Sequence, residues 1–140
     1  MDALWQLCYY VRIDEVRAVL ARGGDVNDKD SKFGATALMW AVLRRHNPIS
    51  KLLLEQPAVK TNKKDKYGNT ALHWAAQYNN AEGARMLLLH PGFNSADSTN
   101  NDGETALMKA LRLRKKEVLL ELVKHESVNL DLSEGAFDER

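Results

Sequence analysis

Cysteine is almost absent from this 140-residue chain, with Cys8 standing alone. A single thiol excludes an intramolecular disulfide and points to a reducing compartment. Cys8 lies in an apolar helical run, so it reads as a buried and inert side chain. No apolar run reaches the ~18 residues a membrane-crossing helix needs, so no membrane association is expected. Asp2 follows Met1, and no basic segment precedes an apolar stretch, so no secretory leader is expected. A cytoplasmic location follows, with the nucleus as the alternative. The formal net charge is only +1, which argues against a bulk polyanion partner. The charge is uneven, however. Residues 29–66 carry nine Lys/Arg against three Asp/Glu, a local +6, which leaves the rest of the chain at −5.

Catalytic signatures are also missing. There is no G-x-S-x-G, no G-x-x-x-x-G-K-[ST] and no G-x-G-x-x-G. The four histidines, at 46, 73, 90 and 125, form no H-x-x-x-H pair. Asp28, Asp30, Asp65, Asp97 and Asp102 fall in turn-rich segments, where aspartate caps backbone N–H groups. No enzyme, cofactor or metal site is therefore expected.

What is present is a repeat. Gly68-Asn69-Thr70-Ala71-Leu72-His73-Trp74-Ala75 is echoed by Gly34-Ala35-Thr36-Ala37-Leu38-Met39-Trp40-Ala41 and by Gly103-Glu104-Thr105-Ala106-Leu107-Met108-Lys109-Ala110. The glycines are 34 and 35 residues apart. Self-similarity at such a period marks a stacked repeat architecture.

The chain in order predicts helix pairs. Residues 2–22 carry two apolar stripes, one through Leu4, Leu7, Cys8 and Val11, the other through Ile13, Val16, Val19 and Leu20. Arg12 marks the break, and Gly23-Gly24 ends the second helix. Gly34, Gly68 and Gly103 are placed for positive φ in tight turns, and Thr36, Thr70 and Thr105 for capping the helices that follow. Leu38, Ala41 and Val42 form the first buried stripe of the second unit, and Pro48 suits the first turn of its next helix, which Leu52, Leu53 and Leu54 close. In the third unit helices are predicted over about residues 70–78 and 81–90, with Leu72, Ala75, Ala76, Met86, Leu87 and Leu88 inside. The fourth unit places Leu107, Ala110, Leu111, Val118, Leu122 and Val123 inside. The polar stretches 61–67 and 96–102 read as outward loops or hairpins.

These features resemble the ankyrin repeat, whose pattern is T-P-L-H-x-A. Alanine replaces the proline in all three copies, and the histidine survives only as His73, with Met39 and Met108 in its place. The resemblance covers roughly residues 3–131. It implies an all-α solenoid of stacked helix-turn-helix units with short β-hairpin loops. It implies one domain, with units at about 1–30 (resembling an N-terminal cap), 31–64, 65–99 and 100–132 and a tail at 133–140. The loop before Gly34 is one residue longer than its partners, so its tip should be irregular. In the last unit Arg112, Arg114, Lys115 and Lys116 replace Gln77-Tyr78-Asn79-Asn80, as in a polar C-terminal cap. Val128, Leu130 and Leu132 nevertheless alternate with Asn129 and Asp131, as at the start of a further hairpin arm belonging to a longer protein.

The resemblance implies a function as well: a scaffold binding a partner protein or peptide through loop tips and the concave face of the first helices, with His73 stabilising its turn. Carried over by position, the tips hold Lys32, Phe33, Lys66, Tyr67, Asn101 and Asp102, and Ala35, Asn69 and Glu104 follow the glycines. The concave helix ends hold Tyr9, Tyr10, Leu43, Arg44, Gln77, Tyr78, Arg112 and Leu113. Phe33 and Tyr67 have two roles open, as ligand contacts or as packing between stacked loops. Trp40 and Trp74 likewise serve as wedges between helices or as ligand contacts. Lys60, Lys63, Lys64 and Lys66 form a basic loop, either a solvated surface or a steering patch for an acidic partner. Nucleic acid is not the expected partner, because four lysines in one loop fall short of a basic face. A monomer is expected. The alternatives to a protein-binding scaffold are a binder of an acidic or nucleic-acid partner through residues 60–66, and an assembly fragment of a longer repeat protein.

Overall fold

A computed structural model of the chain describes residues 2–125 and 127–131. Four helix pairs follow one another: α1 (Leu4–Tyr9) with α2 (Ile13–Ala21), α3 (Ala37–Leu43) with α4 (Asn47–Leu54), α5 (Ala71–Gln77) with α6 (Ala81–Leu89), and α7 (Ala106–Leu113) with α8 (Lys116–Lys124). The first helices α1, α3, α5 and α7 pack side by side as one layer, and α2, α4, α6 and α8 as a second. One contiguous core runs between the layers. Its largest fully buried members include Met39, Ile49, Leu53, Leu72, Leu87 and Leu122. Ala41, Ala75 and Ala110, fully buried where the layers meet, leave room for close helix approach.

The helices start where the sequence places caps. Thr36, Thr70 and Thr105 accept from the backbone N–H of Met39, His73 and Met108, each such cap contributing about 1 kcal/mol. The repeat glycines have positive φ, as expected. At Gly68 (φ +80°) the requirement is double, because a Cβ would also lie 2.8 Å from the Asn101 amide nitrogen of the next unit. Each turn between paired helices likewise carries one left-handed residue: Val11, Arg45, Asn79 and Arg114. None is glycine, and the sequence reading placed the first break at Arg12, one residue later.

The tips are hairpin-like but carry almost no β structure among the described residues, where the pairing reduces to an isolated Lys29–Thr36 bridge. Each loop is closed by a backbone bond across its base, Asp30 N–H to Ala35 O, Asp65 N–H to Asn69 O, and Asn100 N–H to Glu104 O, and by a second from the glycine N–H of Gly34, Gly68 or Gly103 to Asp30 O, Asp65 O or Asn100 O. The first loop spans one more residue than the others, as expected of its longer sequence. Successive tips are tied by backbone bonds from Lys66 N–H to Phe33 O and from Asn101 N–H to Tyr67 O, both 2.9 Å.

A second ladder joins the units at their other ends. Asn27 bridges to Ala58 O and to the Lys60 N–H, Asn62 to Gly92 O and to the Asn94 N–H, and Asp97 accepts from the Asn129 N–H. Asn80 caps α6 through the Gly83 N–H and crosses to Val42 O and to Asn47.

Some expectations about the core need correction. Val123 is 43% exposed rather than inside: Val118 and Leu122 already occupy the buried stripe of α8, and Val123 lies about 100° further round the helix. Met86 is only half-buried, as are Leu52 and Leu111. In the C-terminal arm Val128 is buried and Leu130 is exposed; Leu132 and the tail at 133–140 lie outside the described residues.

Candidate interaction groove

Trp40 on α3 and Trp74 on α5 sit one period apart and meet edge to face, with centroids 5.4 Å apart. Each indole is held by the carboxylate of the tip that leads into its helix. Trp40 Nε1–H donates to Asp30 Oδ2 at 3.0 Å, and Trp74 Nε1–H donates to Asp65 Oδ2 at 2.9 Å. The remaining capacity of these carboxylates goes to the turn. Asp30 also accepts from the backbone N–H of Phe33 and Ala35, and Asp65 from those of Tyr67 and Asn69. The aspartates therefore fold the tip and orient the ring in one step.

Other rings gather on this pair. Tyr9 of α1 and Phe33 of the first tip meet Trp40 at 5.4 and 6.2 Å, Trp5 lies tilted against it at 5.6 Å, and Tyr78 lies 6.3 Å from Trp74. Tyr9, Phe33, Trp40, Trp74 and Tyr78, together with Leu43, Asp65, Tyr67, Asn69 and Gln77, line a groove of about 380 Å³ across three units. Tyr67 is 50% exposed and Tyr78 38%, while the tryptophans are half-buried. Trp40 and Trp74 thus pack and face the groove at once.

Cations stand around the rim. Lys32 Nζ lies 5.3 Å from the Phe33 centroid, Lys66 Nζ lies 5.5 Å from Phe33 and 5.1 Å from Tyr67, and the Arg44 guanidinium lies 5.4 Å from Tyr9. Such contacts are worth roughly 0.5–1 kcal/mol at exposed sites.

The structure thus brings Tyr9, Phe33, Trp40, Leu43, Tyr67, Asn69, Trp74, Gln77 and Tyr78 together and puts Lys32, Arg44 and Lys66 beside them. Two expected site residues are placed elsewhere. Asp102 is an exposed tip residue of the fourth unit. Arg112 closes on Glu104 through a two-pronged pair at 2.6 and 3.0 Å. That pair holds the Glu104 carboxyl below its usual range, first through the Arg112 hydrogen bond and against the effect of burial. The sequence reading missed Asp65 as a groove residue; the signal was available in Asp30 and Asp65, which precede Trp40 and Trp74 by ten and nine residues.

The basic loop is divided. Lys64 donates to Thr99 O at 3.0 Å, whereas Lys60 and Lys63 border a separate shallow hollow with Val59 and Asn62. Among the described residues no group of three or more His, Cys, Asp or Glu comes together as a metal site, and no helix is long and apolar enough to cross a membrane.

The polar core explains the histidines. His73 is fully buried. Its Nδ1 accepts from the Thr70 N–H at 3.0 Å, which leaves Nε2–H to donate to Glu104 O of the next unit at 2.8 Å. His90 repeats the device one interface earlier, accepting from the Gly92 N–H and donating to Leu54 O. In place of the histidine, Met39 offers its sulfur to the Thr36 N–H at 3.4 Å.

A family model described as "Ankyrin repeats (3 copies)" matches residues 4–97. A search of curated proteins returns no match. Ankyrin repeats are generally protein–protein interaction modules without catalytic activity. With two thirds of its length matched, and with the G-x-T-A-L-x-x-A turn recurring in three of four stacked helix pairs, this chain belongs to the ankyrin-repeat family.

Proposed function

We propose that this chain is a non-enzymatic scaffold that captures a segment of another protein in the groove between Trp40, Trp74, Tyr67 and Tyr78. The observation that carries this reading is the convergence of rings from three units on one open groove. Aromatic side chains that are partly exposed on a rigid frame remove much apolar area from water at low entropic cost, which is the property of interface anchors. Two of the four histidines and the cysteine are committed to structure. Both ring nitrogens of His73 and of His90 are occupied, and burial pushes the Cys8 thiol up to about 12.

The test compares the wild-type chain with a Phe33→Ala/Tyr67→Ala/Tyr78→Ala variant as baits in a cell lysate, with quantitative mass spectrometry and circular dichroism of both. Proteins recovered by the first and depleted by about tenfold or more with the second, the loss of one hot-spot side chain, support the groove. Equal recovery by the two baits refutes it.

A further inference from the structure

We propose that the groove takes an acidic peptide segment, whose aromatic or large aliphatic side chain enters beside Trp40 and Trp74 while flanking carboxylates meet Lys32, Arg44 and Lys66. This rests on the groove being the partner site. It adds the chemistry of the partner.

The floor decides what enters. Both indole N–H groups are already given to Asp30 and Asp65, and those carboxylates are filled by backbone N–H groups. The two indoles therefore present ring carbon and no unfilled N–H, so a polar group pressed against them would lose its water without replacement, while the polar atoms of the lining come from Asn69, Gln77 and the tyrosines around them. A volume of about 380 Å³ lies near the small end of ligand pockets, enough for one large side chain with its adjoining backbone. At the edge, the exposed Gln77 carboxamide can donate to and accept from a peptide amide.

The rim decides what flanks it. Lys32, Arg44 and Lys66 are all exposed, and none makes an ion pair among the described residues. Each rests on a ring, which positions the cation without neutralising it. They sit within the segment 29–66 that carries a local +6. That +6 already subtracts the two carboxylates of the site, Asp30 and Asp65, so the excess of positive charge stands with both of them ionised. A basic partner would be repelled, and an acidic one steered in and held. Single-stranded nucleic acid shares the negative charge but needs open ring faces on which successive bases stack. Here Trp40 meets Tyr9 at 86° and Trp74 at 77°, so the rings close on one another edge to face.

The experiment pans a random dodecapeptide library on the immobilised full chain and measures synthetic copies of enriched peptides by fluorescence anisotropy. Three proteins are compared: wild type, a groove variant (Tyr67→Ala/Tyr78→Ala, both partly exposed and so safe for the fold) and a charge variant (Lys32→Gln/Arg44→Gln/Lys66→Gln). A fluorescein-labelled oligothymidylate serves as the nucleic-acid arm. The enriched peptides are expected to combine one aromatic or leucine anchor with adjacent Asp or Glu. The groove variant should weaken them by about tenfold or more. The charge variant should weaken them by about tenfold at low ionic strength, an effect that shrinks as salt shortens the screening length. Peptides that need the groove but carry no acidic residues and ignore the charge variant would overturn this inference and leave the groove standing. Peptides indifferent to both variants, or no enrichment at all, would overturn both readings. Oligothymidylate bound more tightly than any peptide, and released by the charge variant, would replace the acidic peptide with nucleic acid.

Discussion

Replacing His73 with Met tests the link between the third and fourth units and its dependence on pH. The arrangement around His73 requires a neutral ring. Protonation of Nδ1 would remove the acceptor for the Thr70 N–H, and the ring is fully buried. Burial is the first cause that lowers its pKa from the usual value, aided by Lys109 and Lys64 and opposed by the Glu104 carbonyl and Asp65. An unfolded histidine titrates near about 6.5. Below that pH the unfolded chain binds a proton that the folded chain refuses, so acid favours unfolding. The stabilisation from a neutral His73 is complete above the unfolded pKa and is lost as pH falls towards the folded one, at up to ~1.4 kcal/mol per pH unit.

Met fits this site, as the buried Met39 and Met108 show in the equivalent positions. The turn should therefore survive, and the loss is chiefly the 2.8 Å bond across the unit boundary. Glu104 O keeps its bond from the Asn100 N–H at 2.9 Å, so no acceptor is orphaned. The cost should be about 1–2 kcal/mol at roughly pH 7.5. Urea unfolding of both proteins, followed by tryptophan emission, should show the gap narrowing as pH falls below about 6.5, because only the wild type carries this linkage. The other histidines are common to both proteins and cancel in the difference. A gap independent of pH would refute the neutral-ring account, and a gap that widens in acid would refute its sign. Hydrogen exchange supplies a second readout: amides of α7 and α8 should lose protection before those of α3, because each unit is supported by its neighbours.

Leu72→Ala, at a fully buried position in the central repeat, should cost roughly 2–5 kcal/mol in urea unfolding, and a loss below about 1 kcal/mol would contradict its place in the core. Gly103→Ala should cost about 1–2 kcal/mol, because φ is +76° and nothing lies near the added methyl. Gly68→Ala should cost a further ~1–3 kcal/mol, because the methyl meets the backbone of Asn100 and Asn101; equal costs by calorimetry would sink the clash. Gly83→Ala should destabilise despite the ~1 kcal/mol helix preference for alanine, because the added carbon would lie 2.6 Å from the Asn80 side chain that caps α6. Cys8 should resist a thiol reagent at neutral pH and react at the rate of unfolding, because burial both hides the thiol and pushes its pKa up to about 12; rapid labelling of the native chain would refute its burial.

The repeat was legible because its signals are residue types tied to backbone needs. Glycine at positive φ, threonine at an N-cap and alanine at a helix crossing can each be read without a neighbour. The inter-helix turns were not legible in that way. Val11, Arg45, Asn79 and Arg114 share a left-handed conformation and no chemistry; the stacked helices impose it at a position, whatever residue stands there. Asn27, Asn62 and Asp97 lay in between. Their spacing of 35 is visible in the sequence, yet their partners belong to the next unit and emerge only when the units are stacked. The bond from His90 to Leu54 O is hidden from the sequence for the same reason.

The groove follows a different logic, because it depends on where the repeat fails. The stack repeats the same turn and the same alanine in its second, third and fourth units. The groove needs an indole with a carboxylate beneath it, and only the second and third units supply that pair. In the fourth unit Lys109 takes the indole position and Asn100 the carboxylate position. The exchange is coherent. With no indole to accept from, Asn100 keeps the turn through the N–H groups of Asp102 and Glu104, and turns its amide to Asn69 of the preceding tip. Arg112, where Gln77 stood, then closes on Glu104 and takes up a surface that the third unit leaves open. The positions that fix the fold and those that shape the groove therefore alternate along the same helices, so one set can change without the other. That separation is why the period discloses the architecture while the departures from it locate the site.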